Sequence, residues 1–168
     1  TPYVLDPVMV ATSGDALLSS EAIAAIRDTL IPLSTLVTPN LDETELLVGG
    51  VVRDVFTMKA AAELLVRRYG ARAALVKGGH LEGEDAVDVL YCEGETKLFT
   101  HARIATTSTH GTGCTLSSAI TAQLALGVPL VPAVRIALDY VNAAIKTAPG
   151  IGAGHGPVNH GAPVDRSW

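Results

Sequence analysis

Aromatic residues are scarce in this chain of 168 residues, of which Phe, Trp and Tyr together make up 4%. A core with so few aromatic rings has to be built from Ala, Val, Leu and Ile, which suits close packing of helices on a sheet. Charged residues are also few, at 17%, whereas 48% of the residues are hydrophobic. This balance excludes intrinsic disorder, because the chain can bury enough apolar surface to offset the conformational entropy lost on folding. No stretch approaches the roughly 20 apolar residues that cross a bilayer as a helix.

Basic residues and cysteines are few as well. The 12 Lys and Arg residues against 17 Asp and Glu give a formal net charge of −5, which argues against nucleic acid or an anionic membrane as the main partner. Nucleotides are not excluded, because local donors rather than net charge hold a phosphate. The two cysteines, Cys92 and Cys114, lack the spacing of a metal site and make a weak case for a disulfide. No basic segment precedes the first apolar run, so we expect no signal peptide and a soluble, cytoplasmic protein.

The first half of the chain alternates between short apolar runs and segments with a helical period. Apolar runs of strand length are typical of buried parallel strands, and amphipathic segments bounded by Ser, Asn or Gly indicate helices. We predict strands over 3–10, 36–38 and 73–77, and helices over 21–30, 41–48 and 58–69. Ser19 or Ser20 caps the first helix, and Ile23, Ile26 and Leu30 share one of its faces. The alternation predicts an α/β fold with a mostly parallel central sheet flanked by helices.

A polar-edged segment follows in the middle of the chain. Residues 88–93 and 96–100, separated by Gly94, predict a hairpin, and residues 104–107 suggest one further short strand.

The last third of the chain combines two helical segments with an aperiodic tail. Helices are expected over 113–126, which Gly127 ends, and over 129–145. The segment 149–168 is rich in Gly and His and lacks periodicity, so we expect a flexible tail. The chain contains no internal repeat or linker and is expected to form one domain over 1–168. Its abrupt start inside a strand suggests that an N-terminal part of the fold precedes it.

The stretch from residue 108 to 118, STHGTGCTLSS, is the most informative for chemistry. Two glycines one residue apart, Gly111 and Gly113, lead directly into a helix. Glycine lets the backbone approach a ligand closely, and the first turn of a helix presents N–H groups that favour an anion such as phosphate. Cys114 lies in this turn, where the same field would lower the pKa of a thiol. The alternative reading is a plain helix entry with a buried, inert cysteine.

Four further polar residues lie at predicted strand ends or at a helix start. Asn40 and Glu43 have the spacing of a capping box, although Glu43 would also suit a hydrated Mg²⁺ ion. Asp6 either caps local amides or faces a ligand, and Lys77 is either a phosphate-binding cation or a turn residue. Acids for Mg²⁺, a cation and an anion-binding helix start are together what phosphoryl transfer needs.

Five segments in this order resemble one known family. The sequence is similar to the hydroxymethylpyrimidine and hydroxymethylpyrimidine phosphate kinases of thiamine biosynthesis, which belong to the ribokinase-like superfamily. The similarity covers nearly the whole chain and is carried by DPVMVATSG (6–14), VTPNLDETELL (37–47), LVKGGH (75–80), STHGTGCTLSSAI (108–120) and GAGHGPVNH (152–160). It implies a kinase that uses ATP and Mg²⁺ to phosphorylate a small pyrimidine alcohol and then its monophosphate.

The resemblance also implies roles for residues near the transferred phosphoryl group. The backbone from Gly111 through Thr112 to Gly113 would form the anion hole. Cys114 would stand where most ribokinase-like kinases place an aspartate base. The adenine is expected between the segment near 100–110 and the last helices.

Further roles follow from the same resemblance at the other motifs. Lys77 and Asn40 would meet the phosphates of ATP, and Asp6 and Glu43 would hold Mg²⁺, mainly through water. Val8 falls where the family contacts the pyrimidine. The family carries a further N-terminal part that supplies most pyrimidine contacts, so this chain looks like the C-terminal part of the enzyme, either alone or paired with a second chain. A homo-oligomer or a missing N-terminal chain is the expected macromolecular partner.

Two alternatives remain open at this point. A pyridoxine or pyridoxal kinase of the same superfamily is one, because some of these enzymes also place Cys after Gly-Thr-Gly. A non-catalytic fragment that binds nucleotide is the other.

Overall fold

The computed structural model describes residues 1–11, 16–79, 83, 85–151 and 154–163. Its contacts divide the chain into two compact units, Pro2–Arg103 and Ile104–Trp168. The expectation of a single domain therefore stays a prediction, and each unit is described by itself. Parts of three motifs (residues 12–14, 80 and 152–153) and the end of the expected tail (164–168) lie outside the described residues.

The first unit is built on one five-stranded sheet. Its strands run in the order β1-β2-β3-β4-β5, where β1–β2 and β2–β3 are parallel and β3–β4 and β4–β5 are antiparallel. The bounds are β1 Val4–Leu5, β2 Leu36–Val37, β3 Ala73–Val76, β4 Asp85–Cys92 and β5 Glu95–Ala102. The predicted α/β class is confirmed, with a parallel part that the expected hairpin extends in antiparallel fashion.

Three α-helices belong to this unit: α1 Ser20–Ala25, α2 Leu41–Val48 and α3 Val55–Arg67. Their apolar faces and the sheet enclose a core whose fully buried side chains include Met9, Leu47, Met58, Leu65 and Val76. Helix α2 begins and ends at the predicted residues, because Asn40 caps its start and Gly49 takes a left-handed φ of 72° at its end. Helix α3 begins three residues earlier than predicted, since Asp54 and Thr57 form a capping box ahead of it.

The first helix departs from prediction after Ala25. Ser19 caps it as expected, but a π-helical turn over Ile26–Leu30 and a 3-10 turn over Ile31–Leu33 replace its second half. A π turn has more residues per turn than an α-helix, so it rotates the residues that follow out of the α-helical register. Ile31 is therefore fully buried while Leu30 is exposed, and the predicted shared face of Ile23, Ile26 and Leu30 was wrong at Leu30.

Two predicted strands also differ from the structure. The first strand is only two residues long, because Pro7 has no N–H group with which to continue the ladder. Residues 104–107 form no strand. The hairpin is longer than predicted, and its turn residues Glu93 and Gly94 both have positive φ, at 52° and 80°, as a two-residue hairpin turn requires.

The second unit contains helices α4 Thr112–Ala125 and α5 Leu130–Lys146, which pack against each other. Both lie within about one residue of their predicted bounds, and Gly127, with a φ of 85°, follows α4 as expected. Among the described residues, no helix of either unit is long and apolar enough to cross a membrane.

The segment expected to be a flexible tail makes specific contacts over its described residues 154–163. Val158 and Ala162 are buried against Ala144 of α5. The N–H group of Asn159 donates to the carbonyl of Ala144 at 3.0 Å, and its side chain donates to Thr147 at 3.0 Å. The expectation of a free tail was wrong for these residues, because local hydrogen bonds replace the missing hydrophobic period.

Candidate active site

Lys77 and Asp6 form an ion pair in the first unit. Asp6 directly follows β1 and Lys77 directly follows β3, so the parallel strands bring both to the carboxyl edge of the sheet. The Nζ atom of Lys77 lies 3.0 Å from Oδ1 of Asp6, and the two side chains are 15% and 14% exposed. Thr38, directly after β2, donates its hydroxyl to the same oxygen at 3.1 Å. Residues at the ends of three strands thus form one polar cluster. It lies at the carboxyl ends of the strands, where an open α/β sheet binds its ligands.

Asn40 and Glu43 lie next to this ion pair. Asn40 pairs with Lys77 in an isolated parallel bridge. The N–H group of Glu43 donates to Oδ1 of Asn40 at 2.9 Å, and the N–H group of Asn40 donates to Oε2 of Glu43 at 2.7 Å. The capping-box interpretation is therefore confirmed. The side-chain amide nitrogen of Asn40 takes no part in the box and donates to no other group in the described part of the chain, so it can serve as a donor for an anion.

Glu43 is buried, with only 3% of the residue exposed. Burial raises its pKa above the ordinary value, since a charged carboxylate is poorly solvated there. The positive charge of Lys77 and the N–H groups of Asn40 and Met9 oppose this rise in pKa, and the negative charge of Asp6 adds to it. The charges of Lys77 and Asp6 therefore both influence the pKa of Glu43.

The carboxylates of this cluster suit a magnesium ion only in part. Nowhere in the described chain do three or more His, Cys, Asp and Glu side chains form a group able to hold a metal ion. One oxygen of Asp6 is already bound to Lys77 and Thr38, and one oxygen of Glu43 serves the capping box. Because Mg²⁺ keeps several waters and commonly adds only one or two carboxylates to substrate phosphates, these residues fit an ion bound mainly through water.

The helix start predicted to bind an anion lies in the second unit. Gly111 is the N-cap of α4, with a φ of 84° and no side chain to cap the helix. The N–H group of Thr112 donates to Thr109 at 3.3 Å. The N–H groups of Gly111 and Gly113 have no backbone acceptor within the described part of the chain. Such groups carry the partial positive charge of a helix start, so this turn can receive a phosphoryl oxygen.

A cavity of about 640 Å³ opens beside this turn. It is large enough for a nucleotide-sized ligand. Two histidines, a tyrosine and the Cys114 thiol give it several polar groups. The residues that line it are His110, Gly111, Cys114, Thr115, Ser118, Ala119, Tyr140, Pro157 and His160.

The two cysteines have opposite surroundings. Cys114 is exposed in the first turn of α4 and lines the cavity, which contradicts the reading of a buried, inert residue. Cys92 is buried at the end of β4, where burial raises the pKa of its thiol. A thiol must ionise before it can act as a base, so only Cys114 is placed to do so.

The remaining site prediction, Val8, lies two residues after Asp6 and is exposed. The prediction from sequence missed Thr38, whose hydroxyl completes the ion-pair cluster, and the lining residues Tyr140 and His160. The hydroxyl of Tyr140 donates to the backbone carbonyl of His160 at 2.9 Å and fixes that wall of the cavity. The position of Thr38 beside Pro39 and Asn40, at a strand end, offered a signal in the sequence, as did the place of His160 in the segment GAGHGPVNH.

Comparison of the sequence with known proteins matches the chain to one family of kinases. The family profile described as phosphomethylpyrimidine kinase matches residues 1–159. A hydroxymethylpyrimidine/phosphomethylpyrimidine kinase from Rhizobium meliloti is 53% identical over 161 residues, covering 94% of this chain and 60% of that protein.

Two solved structures share the fold. The pyridoxal kinase of Staphylococcus aureus in complex with AMP-PCP and pyridoxal has a TM-score of 0.88 at 34% identity, over 96% of this chain and 58% of that one. The phosphomethylpyrimidine kinase of Clostridium difficile has a TM-score of 0.72 at 40% identity, over 85% of this chain and 57% of that one. The fold is thus that of the ribokinase-like kinases.

The chain spans 60% or less of the length of these three proteins. Within that span, the family match includes every strand of the sheet, the Asp6–Lys77 cluster and the Gly111 turn. The chain belongs to the phosphomethylpyrimidine kinase family.

Proposed function

We propose that this chain forms the nucleotide-binding and catalytic part of an ATP-dependent kinase. The enzyme phosphorylates the hydroxymethyl group of hydroxymethylpyrimidine and then the resulting monophosphate. The observation that carries the proposal is the cavity of the second unit, where the Gly111 turn and the Cys114 thiol line the same space. The match to the kinase family supports the choice of substrate.

Cys114 acts as the general base in this proposal. Its thiolate takes the proton of the hydroxymethyl group as that oxygen attacks the γ-phosphorus of ATP, so the thiolate becomes a thiol. A new oxygen–phosphorus bond forms, the bond between the γ-phosphorus and the bridging oxygen breaks, and ADP leaves. The N–H groups from Gly111 to Gly113 stabilise the charge on the transferred phosphoryl oxygens. In the second reaction, a phosphate oxygen of the monophosphate is the attacking atom.

The cluster of the first unit binds charged groups of the co-substrate. Lys77 neutralises ATP phosphates, and the free amide nitrogen of Asn40 donates a hydrogen bond to them. Asp6 and Glu43 would hold Mg²⁺ mainly through water, and the ion, when bound, would neutralise negative charge on the phosphates. Val8 contacts the pyrimidine, and the adenine occupies part of the cavity beside α4 and α5. We place the enzyme in the cytoplasm, because ATP is available there and cysteine thiols such as Cys114 stay reduced.

A second function is favoured by one observation. The fold is shared with the Staphylococcus aureus pyridoxal kinase at a TM-score of 0.88, and pyridoxal also presents a hydroxymethyl group on an aromatic ring. A kinase acting on pyridoxal would use Cys114 and the Gly111 turn in the same way.

The test is a transfer assay with ATP and Mg²⁺ on hydroxymethylpyrimidine, its monophosphate and pyridoxal. It is run on the 168-residue chain and on any longer protein that contains it. We expect phosphorylation of the first two acceptors, with the diphosphate as final product, at a higher kcat/KM than for pyridoxal. A higher kcat/KM for pyridoxal would favour the second function. ATP binding without transfer to any acceptor would leave a nucleotide-binding protein and overturn the proposal.

A further inference from the structure

A buried carboxylate in β4 has no role in the site described so far. Asp88 is 7% exposed, opposite Phe99 of β5 and followed in its own strand by buried apolar residues. Burying an ionised carboxylate is costly unless hydrogen bonds or charges compensate. The contacts that offset the cost of burying Asp88 therefore indicate its role.

The first contact of Asp88 is with the backbone directly after Lys77. Oδ1 of Asp88 accepts the N–H group of Gly78 at 2.9 Å. The pairing of β3 with β4 extends to Val76 and Val89, so the carboxylate holds the chain just past the end of the ladder. Gly78 also approaches Val87 so closely that an added Cβ would lie 1.9 Å from its carbonyl oxygen. The backbone at Gly78 is thus fixed by a hydrogen bond and by close packing.

The second contact of Asp88 is with a histidine of the neighbouring strand. Nε2 of His101 lies 3.6 Å from Oδ2 of Asp88, with the two side chains 11% and 10% exposed. This nitrogen has no hydrogen-bond partner among the described residues. The one hydrogen bond that the described residues make to the Asp88 carboxylate is therefore that of the Gly78 amide, with the His101 ring close to the other carboxylate oxygen.

We propose that Asp88 is a positioning residue for Lys77. The N–H group of Lys77 donates to the carbonyl of Pro39 at 2.9 Å, and the next N–H group along the chain donates to Asp88. The backbone of Lys77 is thus fixed by a hydrogen bond at its own N–H group and by another at the next N–H group. A fixed backbone limits the directions that the Lys77 side chain can take. A cation that is ordered before the nucleotide binds loses less conformational entropy on binding. This inference rests on the proposed role of Lys77 at the ATP phosphates.

The test is a double-mutant cycle in the active protein, with KM for ATP and kcat measured for each variant. Asp88→Ala removes the acceptor and should raise KM by about five- to tenfold, the scale of one hydrogen bond, with kcat little changed. Asp88→Asn keeps an acceptor oxygen and should stay near wild type. Asp85→Ala, at the exposed start of the same strand, is the matched control and should leave both constants unchanged. Adding Asp88→Ala to Lys77→Ala should raise KM no further, because the residue being positioned is then absent.

If Asp88→Ala only disturbed the structure in general, it would lower kcat, and it would do so equally in the wild-type protein and in Lys77→Ala. If Asp88→Ala fails to fold, Asp88→Val replaces it, since a β-branched apolar side chain suits a buried strand. A rise in KM that is independent of Lys77, or an unchanged KM in Asp88→Ala and Asp88→Val, overturns the inference alone. An unchanged KM in Lys77→Ala overturns both the proposed role of Lys77 and the inference that rests on it.

Discussion

The ammonium group of Lys77 lies 3.0 Å from a carboxylate oxygen of Asp6, although the two are 71 positions apart in the sequence. The parallel order of β1, β2 and β3 makes this contact, because each strand ends at the same edge of the sheet. The pair is largely shielded from solvent, so its charges are screened less than those of a surface pair. A cation in such a place keeps an ordered position from which it can meet the phosphates of a nucleotide.

The first prediction concerns this cation. Lys77→Ala should weaken the binding of ATP by about 10- to 100-fold, the scale of a hydrogen bond between charged groups. Isothermal titration calorimetry with a non-hydrolysable ATP analogue measures the effect directly. Lys59→Ala, on the exposed face of α3, changes the net charge equally and should bind as wild type does. Equal losses in the two variants would mean that only long-range charge is being measured.

The site clusters were predictable from the sequence because their signals are local. Lys77 was predicted at a strand end, Asn40 at a helix start and Asp6 beside Pro7 in the first strand, and parallel strands bring their carboxyl ends together. The bounds of α2 were also predictable, since Asn40 and Gly49, which cap its two ends, are recognisable from the residue types next to the helix.

The contact of Asp88 with Gly78 could not be predicted in this way. It depends on the register in which β4 returns antiparallel beside β3, and no local pattern specifies that register. The π-helical turn after Ala25 is similar, because the burial of Ile31 rather than Leu30 is decided by the packing of the whole unit. In the second case, tertiary contacts overrode a periodicity that was correct over a few residues.

The second prediction concerns the general base. Cys114→Ala should lower kcat by about 10²- to 10⁴-fold with little change in the affinity for ATP, which is the usual size of a general-base effect. Cys92→Ala is the control, since Cys92 is buried in β4 and its pKa is raised by burial. A steady-state assay on both variants checks this. If Cys114→Ala kept a near wild-type kcat, the anion hole and substrate positioning alone would account for catalysis.

The third prediction concerns the dependence of stability on pH. Burial raises the pKa of Glu43 above its ordinary value of 4.5, so the folded chain binds this proton more tightly than the unfolded chain. The contribution of Glu43 to the free energy of unfolding therefore falls as the pH rises from 4.5 through the higher pKa of the folded state. Glu43→Gln does not titrate, so its stability relative to wild type should increase over this range. Urea denaturation at a series of pH values measures the difference.

Asp54 provides a control of opposite sign for that experiment. It caps α3, and hydrogen bonds from the backbone N–H and the hydroxyl of Thr57 lower its pKa below 3.8. Its stabilising effect is present above that pH and is lost on acidification through the lowered pKa. The stability of Asp54→Asn relative to wild type should thus decrease as the pH rises. The same direction in both variants would show that the pH dependence reflects net charge and not these two environments.

The last prediction compares the two glycines that bracket α4. Gly111 at its start and Gly127 just past its end have nearly equal φ values, 84° and 85°, and an added Cβ at either would meet no described atom within 4 Å. Alanine at each position should therefore cost a similar amount of stability, about 1–2 kcal/mol for a left-handed conformation. Only Gly111→Ala alters the turn that lines the cavity, so only this variant should lose turnover, by about 10²-fold if one donor is displaced. Parallel measurement of unfolding and of kcat separates the two effects, because a turnover loss shared by Gly127→Ala would trace to helix stability and not to the anion hole.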